Sequence, residues 1–448
     1  MFLNTTNLKL YKIPILLSIS SMLFYFSFAY NLQRTDAIKL ITLYAALFFL
    51  FYKLIQINKS NFKFLAILAF AFRAVFILAI PNLSQDFYRF IWDGRMILEG
   101  LNPYLFTPES FISKGEYPIN QAQELFDGMG SLSASHFTNY PPLNQLCFVV
   151  ANLFPGQSIL SSVIGLRLII IAADFGTLVF GRKLLKKLKL PEYHIFWFIL
   201  NPFIIIELTG NLHFEGVMIF FLVWSFYLLQ INKWKLAAII FACSVSIKLI
   251  PLIFLPLLFS KLGWKKSFIF YTIVGLVTIL LFAPFYSQQF ITNYAETVGL
   301  WFQNFEFNAS LYYLAREIGY VFTGYNQIAF IGTISAVLVF LFVISLSFFR
   351  KNLSVKQLIT FMLFALSFYY FTATTVHPWY IATLLILSVF TNYKFPLVWS
   401  FVIILSYLAY TNTSNSENLW IIGLEYIIVY SVLLYEILRK KPLENKFS

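Results

Sequence analysis

The sequence predicts an all-α protein that crosses a membrane many times. Hydrophobic residues make up 60% of its 448 residues and charged residues only 11%, whereas a water-soluble domain has about a quarter of its residues charged. Apolar runs long enough to cross about 30 Å of hydrocarbon, roughly 20 residues each, recur along the whole chain. We therefore expect a single polytopic membrane domain with about 12 to 14 transmembrane helices.

The apolar runs place the expected spans. They lie near residues 10–30, 38–57, 62–81, 159–180, 193–209, 214–230, 267–285, 326–348, 356–371, 378–391, 395–411 and 419–438. The stretch 236–259 is interrupted by Lys248 and Pro251. Because a proline inside a helix removes a backbone hydrogen bond, we expect two short half-helices that meet at Lys248.

The distribution of basic residues predicts the orientation. With a cytoplasmic N-terminus, 22 Lys and Arg residues fall on the inner side, and five fall on the outer side, namely Arg34, Arg89, Arg95, Lys114 and Arg316. This asymmetry is the positive-inside pattern, and it explains the net charge of +13 without a nucleic-acid partner. We expect a multi-pass protein of the plasma (inner) membrane with both termini cytoplasmic and loop 82–158 outside.

The densest polar segment lies in that loop, between Ser84 and Arg95. In a helix, Asp86, Arg89 and Asp93 share one face. Apolar residues occupy another face, namely Phe87, Ile91 and Leu98. This pattern predicts an amphipathic helix in the membrane interface, and by itself it is equally typical of a salt-bridged helix without chemistry.

Further polar and aromatic residues fall at the same predicted membrane level. They are Tyr140, Glu207, Asn211, His213, Glu215, Lys248, His377, Trp379 and Tyr380. A carboxylate can accept the proton of a sugar hydroxyl, and fixed cations stabilise a departing phosphate. Together these residues favour group transfer from an anionic lipid to a hydroxyl.

The motifs in this loop resemble those of a known family. The residues are Asp86, Arg89, Trp92-Asp93-Gly94-Arg95, Gly100, Asn102, Pro103 and Tyr104, and they resemble the GT-C polyprenyl-phosphate-mannose-dependent mannosyltransferases of bacteria. Weaker motifs follow in a similar order, namely Tyr140-Pro141-Pro142, Asn201-Pro202, Lys248 with Pro251, and His377-Pro378-Trp379-Tyr380.

The resemblance covers about residues 62–391 and implies a GT-C-like core that includes loop 82–158. Residues 1–61 then form a two-span N-terminal addition, and residues 392–448 form the C-terminal spans. Many members carry paired acids where this chain has Gln85-Asp86-Phe87. That departure argues against a metal bridged by carboxylates, and we expect no metal and no other cofactor.

The resemblance implies that Asp86 is the catalytic base. Arg89, Arg95 and Lys248 are the expected ligands of the donor phosphate, although Lys248 also fits a snorkelling side chain. The expected substrate contacts are Asp93, Trp92, Asn102, Tyr104, Tyr140, Glu207, Asn211, His213, Glu215, His377, Trp379 and Tyr380. The expected partners are a polyprenyl-phosphate sugar donor, a glycan or glycolipid acceptor and membrane lipid.

Two other functions compete with transfer of a mannosyl or other hexosyl residue. A lipid-linked-sugar flippase would carry charges at mid-membrane depth and show repeated halves, whereas here most charges gather on one side. An oligosaccharide polymerase or ligase would favour several arginines in large outer loops, and this chain has few. Within predicted spans, Arg73, Arg167 and Asp174 suggest a structural ion pair between Asp174 and one arginine.

Overall fold

The computed structural model describes residues 5–303, 305–349, 351–412 and 415–439. Within these ranges the regular structure is entirely helical, apart from one isolated β-bridge between Phe307 and Thr375. The predicted all-α class is therefore confirmed. Four basic residues that were counted on the inner side lie outside the described residues, namely Arg350, Lys440, Lys441 and Lys446.

The described residues form 20 α-helices, numbered α1 to α20 in chain order. The first ten are α1 Thr5–Asn31, α2 Ala37–Asn58, α3 Phe62–Ala74, α4 Asp86–Leu98, α5 Pro108–Ile112, α6 Ala122–Ala134, α7 Pro142–Asn152, α8 Ile159–Lys187, α9 Phe196–Ile199 and α10 Pro202–Ile204. The others are α11 Glu215–Gln230, α12 Trp234–Val245, α13 Leu258–Phe282, α14 Gln288–Gln303, α15 Leu311–Thr323, α16 Ile328–Phe349, α17 Val355–Thr372, α18 Ile381–Val389, α19 Phe395–Val402 and α20 Leu419–Arg439. The 3₁₀ segments are Glu192–Ile195, Ile250–Phe254, Ala283–Phe285, Pro378–Tyr380 and Ile403–Thr411, and Ile205–Gly210 is a π-helix.

Seven helices are long and apolar enough to cross a membrane, which confirms a polytopic protein. They are α1 from Lys12 onward, α2, α8, α13 as far as Phe285, α16, α17 and α20. A bent pair, Glu192–Ile199 and Pro202–Gly210, adds an eighth span if the two segments cross together. Four further apolar segments are shorter, and the expected total of 12 to 14 spans depends on them and stays a prediction.

The centre of the bundle is α11, which packs against α8 and α12. Its sequence is apolar on every side, and such helices are buried on every side. Residues such as Met218, Leu222 and Phe226 are accordingly buried. Because α11 begins at Glu215, this packing fixes the position of that carboxylate at the end of the helix.

Loop 82–158 folds into α4 to α7, and α4 lies inside it. Nine of the 13 residues of α4 are buried, including both Phe87 and Arg89. At Gly94 an added Cβ would stand 2.6 Å from the carbonyl oxygen of Phe148 in α7, so only glycine permits this approach. The segment is helical, as expected, and protein covers most of both faces, so its apolar face packs inside the loop. Its placement at the membrane interface stays a prediction.

Two arginines within the bundle stabilise the bent pair of segments. Arg73 forms an ion pair of 2.7 Å with Asp174 and donates to the carbonyl of Ile199, the last residue of α9. Arg167 donates to the carbonyls of Thr209 and Gly210, at the end of the π-helix. The expected structural pair of Asp174 with one arginine is thus confirmed, and the arginine is Arg73.

The helix break at Lys248 lies where the sequence predicts it. Helix α12 ends at Val245, Lys248 is not helical, and Pro251 lies in the first turn of a 3₁₀ helix. The second half is therefore 3₁₀ rather than α-helical at its start. The carbonyl of Ser246 accepts hydrogen bonds from the backbone amides of Leu143 and Asn144, which fastens this break to the start of α7.

Candidate functional site

Asp86 is the first residue of α4 and faces His213. Its Oδ2 atom lies 4.0 Å from Nδ1 of His213, and 35% of its side chain is exposed. Within the described part of the chain, no hydrogen-bond donor contacts its carboxylate. The backbone amide of Asp86 donates to the hydroxyl of Ser84. Asp86 is thus an accessible carboxylate whose oxygens are uncommitted.

The surroundings of Asp86 change its acidity. Its enclosed position disfavours the charged carboxylate and raises the pKa of Asp86 to about 6. The positive charge of Lys248 partly opposes this rise, and the negative charge of Glu215 adds to it. Burial also holds the pKa of His213 well below its usual value, with help from Lys248 and His377. At neutral pH the site therefore contains a charged Asp86 beside a neutral imidazole.

The π-helix Ile205–Gly210 positions His213 from its other side. Glu207 lies within this segment, and both of its carboxylate oxygens accept hydrogen bonds from the Tyr407 hydroxyl at 2.9 and 3.0 Å. Asn211 donates to Glu207 at 3.5 Å, and Nε2 of His213 lies 3.7 Å from Glu207. Single π-helical turns inside helices are frequent at functional sites because they displace side chains from the regular helical register.

Lys248 and Glu215 form the charged pair of the site. The Lys248 ammonium donates to Oε1 of Glu215, while Oε2 of Glu215 is buried and has no protein partner among the described residues. The Lys248 side chain keeps 22% of its surface exposed, whereas Glu215 is almost fully buried. The ammonium is therefore held by a single carboxylate, on a side chain that remains partly exposed.

A series of stacked rings borders the site, and we call it the aromatic row: His213, Trp379, His377, Phe307 and Tyr410. Successive ring centroids are 3.7, 4.6, 5.3 and 6.0 Å apart, and each pair is stacked. Burial lowers the pKa of His377 to about 3, so both imidazoles of the row are neutral. Trp379, His377 and Tyr410 are the partly exposed members of the row, whereas His213 and Phe307 are buried.

Tyr380 and Tyr140 extend this border. The Tyr380 ring meets His377 edge-on at 5.4 Å. Tyr140 packs edge-on against Phe90 and Phe148 in loop 82–158. Phe90 lies one helical turn after Asp86 in α4, and His377 belongs to the aromatic row, so the two tyrosines contact both sides of the site.

The structure therefore brings most of the expected residues together. These are Asp86, Tyr140, Glu207, Asn211, His213, Glu215, Lys248, His377, Trp379 and Tyr380. They come from α4, the loop before α7, the π-helix, the start of α11, the Lys248 break and the segment before α18.

The two arginines of α4 are engaged elsewhere. Arg89 pairs with Asp93 at 2.7 Å and donates to the carbonyls of Ser133 and His136. Arg95 donates to side chains of Asn152 and Gln121 and to two backbone carbonyls of the loop. Both guanidinium groups hold the loop together and are buried, and Nη2 of Arg89 is enclosed without an acceptor among the described residues.

Two expected substrate contacts lie within the packing of the loop. Asp93 is fully buried and accepts from Arg89 and Gln145. Trp92 is also fully buried and donates to the Met96 sulfur. Asp93 and Trp92 expose too little surface to contact a substrate. Their contacts instead stabilise the folded loop.

Asn102 and Tyr104 connect the loop to its neighbours. The Asn102 side chain accepts from the Tyr104 amide and donates to the carbonyl of Phe285. Tyr104 is fully buried and its hydroxyl donates to the carbonyl of Tyr140. Tyr140 lies at the border of the site, so the hydrogen bond from Tyr104 connects that border to the loop. Asn102 and Tyr104 therefore position the loop.

Tyr407 is a site residue that the sequence analysis missed. It lies in the apolar segment 395–411, where no charged residue distinguishes it from other tyrosines of the spans. Its link to Glu207 depends on how distant segments pack. The one available signal was that Glu207, an acid inside an apolar run, needs a buried donor.

The described residues contain no group of three or more His, Cys, Asp or Glu side chains arranged to hold a metal ion. Asp86 and Glu207 approach opposite ring nitrogens of His213 rather than a common point. Metal-independent chemistry stays a prediction, and chelation during the transfer assay tests it.

Comparison with known proteins identifies a family. Residues 25–262 match the family model described as alpha-(1->6)-mannopyranosyltransferase, N-terminal domain. The matched region is more than half of the chain and includes α4, the π-helix and Lys248. No curated protein matches the chain.

Proposed function

The chain belongs to the alpha-(1->6)-mannopyranosyltransferase family, and from this premise we propose that it transfers mannose from a polyprenyl-phosphate-linked donor. Family membership and the apolar helices make it a membrane-embedded glycosyltransferase. The proposed acceptor is a hydroxyl of a glycan or glycolipid, joined in an α-(1→6) linkage. The proposed site faces the extracytoplasmic side of the plasma membrane.

One observation carries the chemical part of this proposal: Asp86 is a partly exposed carboxylate without a hydrogen-bond donor among the described residues, facing a neutral imidazole. A general base needs a free oxygen within reach of the substrate and a pKa near the working pH. The pKa of Asp86, raised to about 6, meets the second condition. Asp93 and Glu207 are acids of the same region whose oxygens are already engaged.

The proposed step is a displacement at the anomeric carbon of the donor mannose. The acceptor oxygen forms a bond to this carbon as its proton moves to Asp86. The bond between the anomeric carbon and the phosphate oxygen breaks, and its electron pair leaves with the phosphate. Charge is balanced because the phosphate gains the negative charge that Asp86 loses.

Lys248 is the proposed cation for this developing charge. Its ammonium is partly exposed and lies close enough to Asp86 to lower the pKa of that carboxyl. Glu215 holds the ammonium in place through one oxygen, which restricts a long, flexible side chain before the donor arrives. A preorganised cation stabilises the leaving phosphate more than a mobile one does.

The aromatic row is the proposed platform for the sugars. Trp379 and His377 lie beside His213, and His213 faces Asp86. A mannose or acceptor sugar that stacks on these rings would present its hydroxyl groups toward the carboxylate.

The test is transfer by the purified protein in proteoliposomes. We expect a polyprenyl-phosphate mannose donor to give a new mannosidic bond and free polyprenyl phosphate. A nucleotide-activated mannose should give no product, and Asp86→Asn protein should give none with either donor. Product from the nucleotide donor alone would overturn the lipid-donor proposal, and donor movement across the bilayer without a new glycosidic bond would support a flippase.

A further inference from the structure

We infer that Arg34, in the connection between α1 and α2, is a ligand of the anionic phosphate of the lipid-linked donor. This inference rests on the proposed function, because it concerns the same site. It adds a residue from the N-terminal helix pair to a centre whose other members come from residues 86 to 410. It also supplies the guanidinium group that neither arginine of α4 can offer freely.

The Arg34 guanidinium lies over an aromatic ring. Its Cζ atom is 4.0 Å from the centroid of Tyr410, the distance of a cation–π contact. This contact holds the guanidinium from one side and uses none of its N–H donors. A planar edge of two N–H groups suits the two oxygens of a phosphate.

Most of that edge is uncommitted. Within the described ranges, the single hydrogen bond of the Arg34 side chain runs from Nη1 to the carbonyl of Leu83, and at 3.4 Å it is long. No protein acceptor in those ranges contacts Nε or Nη2 of this residue, and the side chain is half-exposed. Arg34 is thus stacked in place with donors that still face solvent.

Its location ties this open edge to the catalytic centre. The carbonyl of Leu83 accepts from Arg34, and the amide of the same residue donates to Asn211. Asn211 in turn donates to Glu207, while Asp86 follows three residues after Leu83. Arg34 therefore contacts the segment that leads directly into the proposed base.

The aromatic row leads to the same point from another direction. It starts at His213, which faces Asp86, and ends at Tyr410, on which Arg34 lies. A donor sugar on the row could thus have its phosphate near a guanidinium and its anomeric carbon toward the carboxylate. Trp379, His377 and Tyr410 are the partly exposed members of the row.

The other arginines of this region are committed to protein acceptors. Arg89 and Arg95 stabilise the loop interior. Arg316 pairs with Glu306 and Glu317. Arg34 has no carboxylate partner among the described residues. A bound anion would therefore interact with the positive charge of Arg34 without displacing an existing ion pair.

The experiment measures binding and kinetics separately. Purified protein is titrated with a short-chain polyprenyl phosphate and, in parallel, with the matching uncharged polyprenol, and the tryptophan fluorescence of the protein is followed. Arg34→Gln should weaken phosphate binding by about tenfold to a hundredfold, the range for a lost charged hydrogen bond, and leave polyprenol binding unchanged. Arg34→Lys keeps the charge but loses the planar fork, so it should retain binding in part.

Arg182→Gln is the matched control. Arg182 also stacks on an aromatic ring, with Cζ 4.1 Å from the centroid of Phe62, but it lies in the basic run at the end of α8 and pairs with Glu192. Its loss should leave phosphate binding unchanged. In steady-state transfer, Arg34→Gln should raise the donor KM and leave the acceptor KM unaltered.

The outcomes separate the inference from the function on which it rests. If the unaltered protein binds polyprenyl phosphate and transfers mannose while folded Arg34→Gln protein binds the phosphate equally well, the role of Arg34 is refuted and the proposed function stands. If Arg34→Gln weakens polyprenol and polyprenyl phosphate alike, the residue acts on packing and the inference fails. Absence of phosphate binding by the unaltered protein would refute both proposals.

Discussion

Asp86 and His213 face each other across 4.0 Å, one at the first turn of α4 and the other between the π-helix and α11. Burial keeps the pKa of His213 well below its usual value, so the imidazole carries no charge at neutral pH. A neutral partner does not form an ion pair with the carboxylate. Asp86 consequently retains its basicity, and this relationship underlies the predictions about catalysis.

Replacing Asp86 with Asn should abolish most transfer. Loss of a general base reduces turnover by roughly a hundredfold to ten-thousandfold. Because the raised pKa means that the folded state disfavours the charged carboxylate, Asp86→Asn should be at least as thermally stable as the unaltered protein. Transfer assays and thermal unfolding in detergent measure the two effects.

Asp127→Asn provides the matched control for this substitution. Asp127 lies in the same loop, where it accepts from Gln123 on an exposed surface. Its loss should leave turnover within about twofold. Near-normal transfer by folded Asp86→Asn protein would eliminate Asp86 as the base.

The rate of transfer should depend on pH through the ionisation of Asp86. The base acts in its charged form, so activity is complete above the pKa of about 6 and is lost as the pH falls through that value. Glu215→Gln removes a neighbouring negative charge and should move the acid limb of kcat/KM to lower pH. Lys248→Met removes a cation and should move the limb to higher pH.

The two opposite shifts distinguish Asp86 from a titrating acceptor or lipid. Both variants are compared over pH 4.5 to 8 with the same donor and acceptor concentrations. Shifts of the same sign in both variants would show that another group controls the acid limb. Asp127 is distant from the Lys248–Glu215 pair in the sequence. Asp127→Asn should leave the acid limb of kcat/KM at the same pH.

The buried Arg73–Asp174 ion pair should contribute strongly to stability. Both side chains are fully buried, and Nη2 of Arg73 and Oδ1 of Asp174 already lack partners in the described chain. Asp174→Asn leaves an uncompensated buried guanidinium, which costs about 3–5 kcal/mol. Replacing both partners, as Arg73→Met with Asp174→Leu, should recover most of that loss, as measured by denaturant unfolding in detergent. An additive loss in the double variant would contradict the pairing.

Several parts of this architecture could be predicted from the sequence because their signals are local. Apolar runs indicated the helices, and the charge and proline at Lys248 and Pro251 indicated the break after α12. A buried acid and arginine within apolar runs predicted the ion pair of Asp174. Polar residues at the ends of apolar runs brought Glu207, His213 and Glu215 into the expected site.

Other parts could not be predicted, because they depend on which surfaces meet. The amphipathic pattern of α4 is the same whether lipid or α7 covers its apolar face. Arg89 and Arg95 are equally suitable for phosphate and for backbone carbonyls, and only the folded loop shows that carbonyls occupy them. Tyr407 meets Glu207 through the packing of two distant segments.

Replacing Lys248 with Ala should weaken binding of the donor and leave that of the acceptor unchanged. The ammonium is partly exposed and contacts a single carboxylate oxygen, so it can also bind an incoming phosphate. A charged contact of about 1.5–3 kcal/mol corresponds to a loss of about tenfold to a hundredfold in affinity. Lys114→Ala, in an exposed part of loop 82–158, is the control. A change in acceptor KM alone would assign Lys248 to the acceptor or to packing.

Loop 82–158 should face away from the cytoplasm. The prediction follows from the distribution of basic residues, 22 on one side and five on the other, because positively charged segments are retained on the cytoplasmic side. Ser131 is exposed in α6, so a cysteine placed there can react with a membrane-impermeant thiol reagent. Cys147 and Cys243 are free and are first replaced by serine.

Intact cells should label Ser131→Cys protein fully, while Lys187→Cys protein, changed at the exposed end of α8, should react only after permeabilisation. The two residues are predicted to lie on opposite sides of the membrane, and both are exposed on the protein. A difference in labelling therefore reports whether the membrane blocks the reagent. Labelling of Ser131→Cys only after permeabilisation would invert the orientation. Since Asp86 belongs to the same folded loop as Ser131, that result would also move the proposed site to the cytoplasmic face, where a nucleotide-activated donor is available.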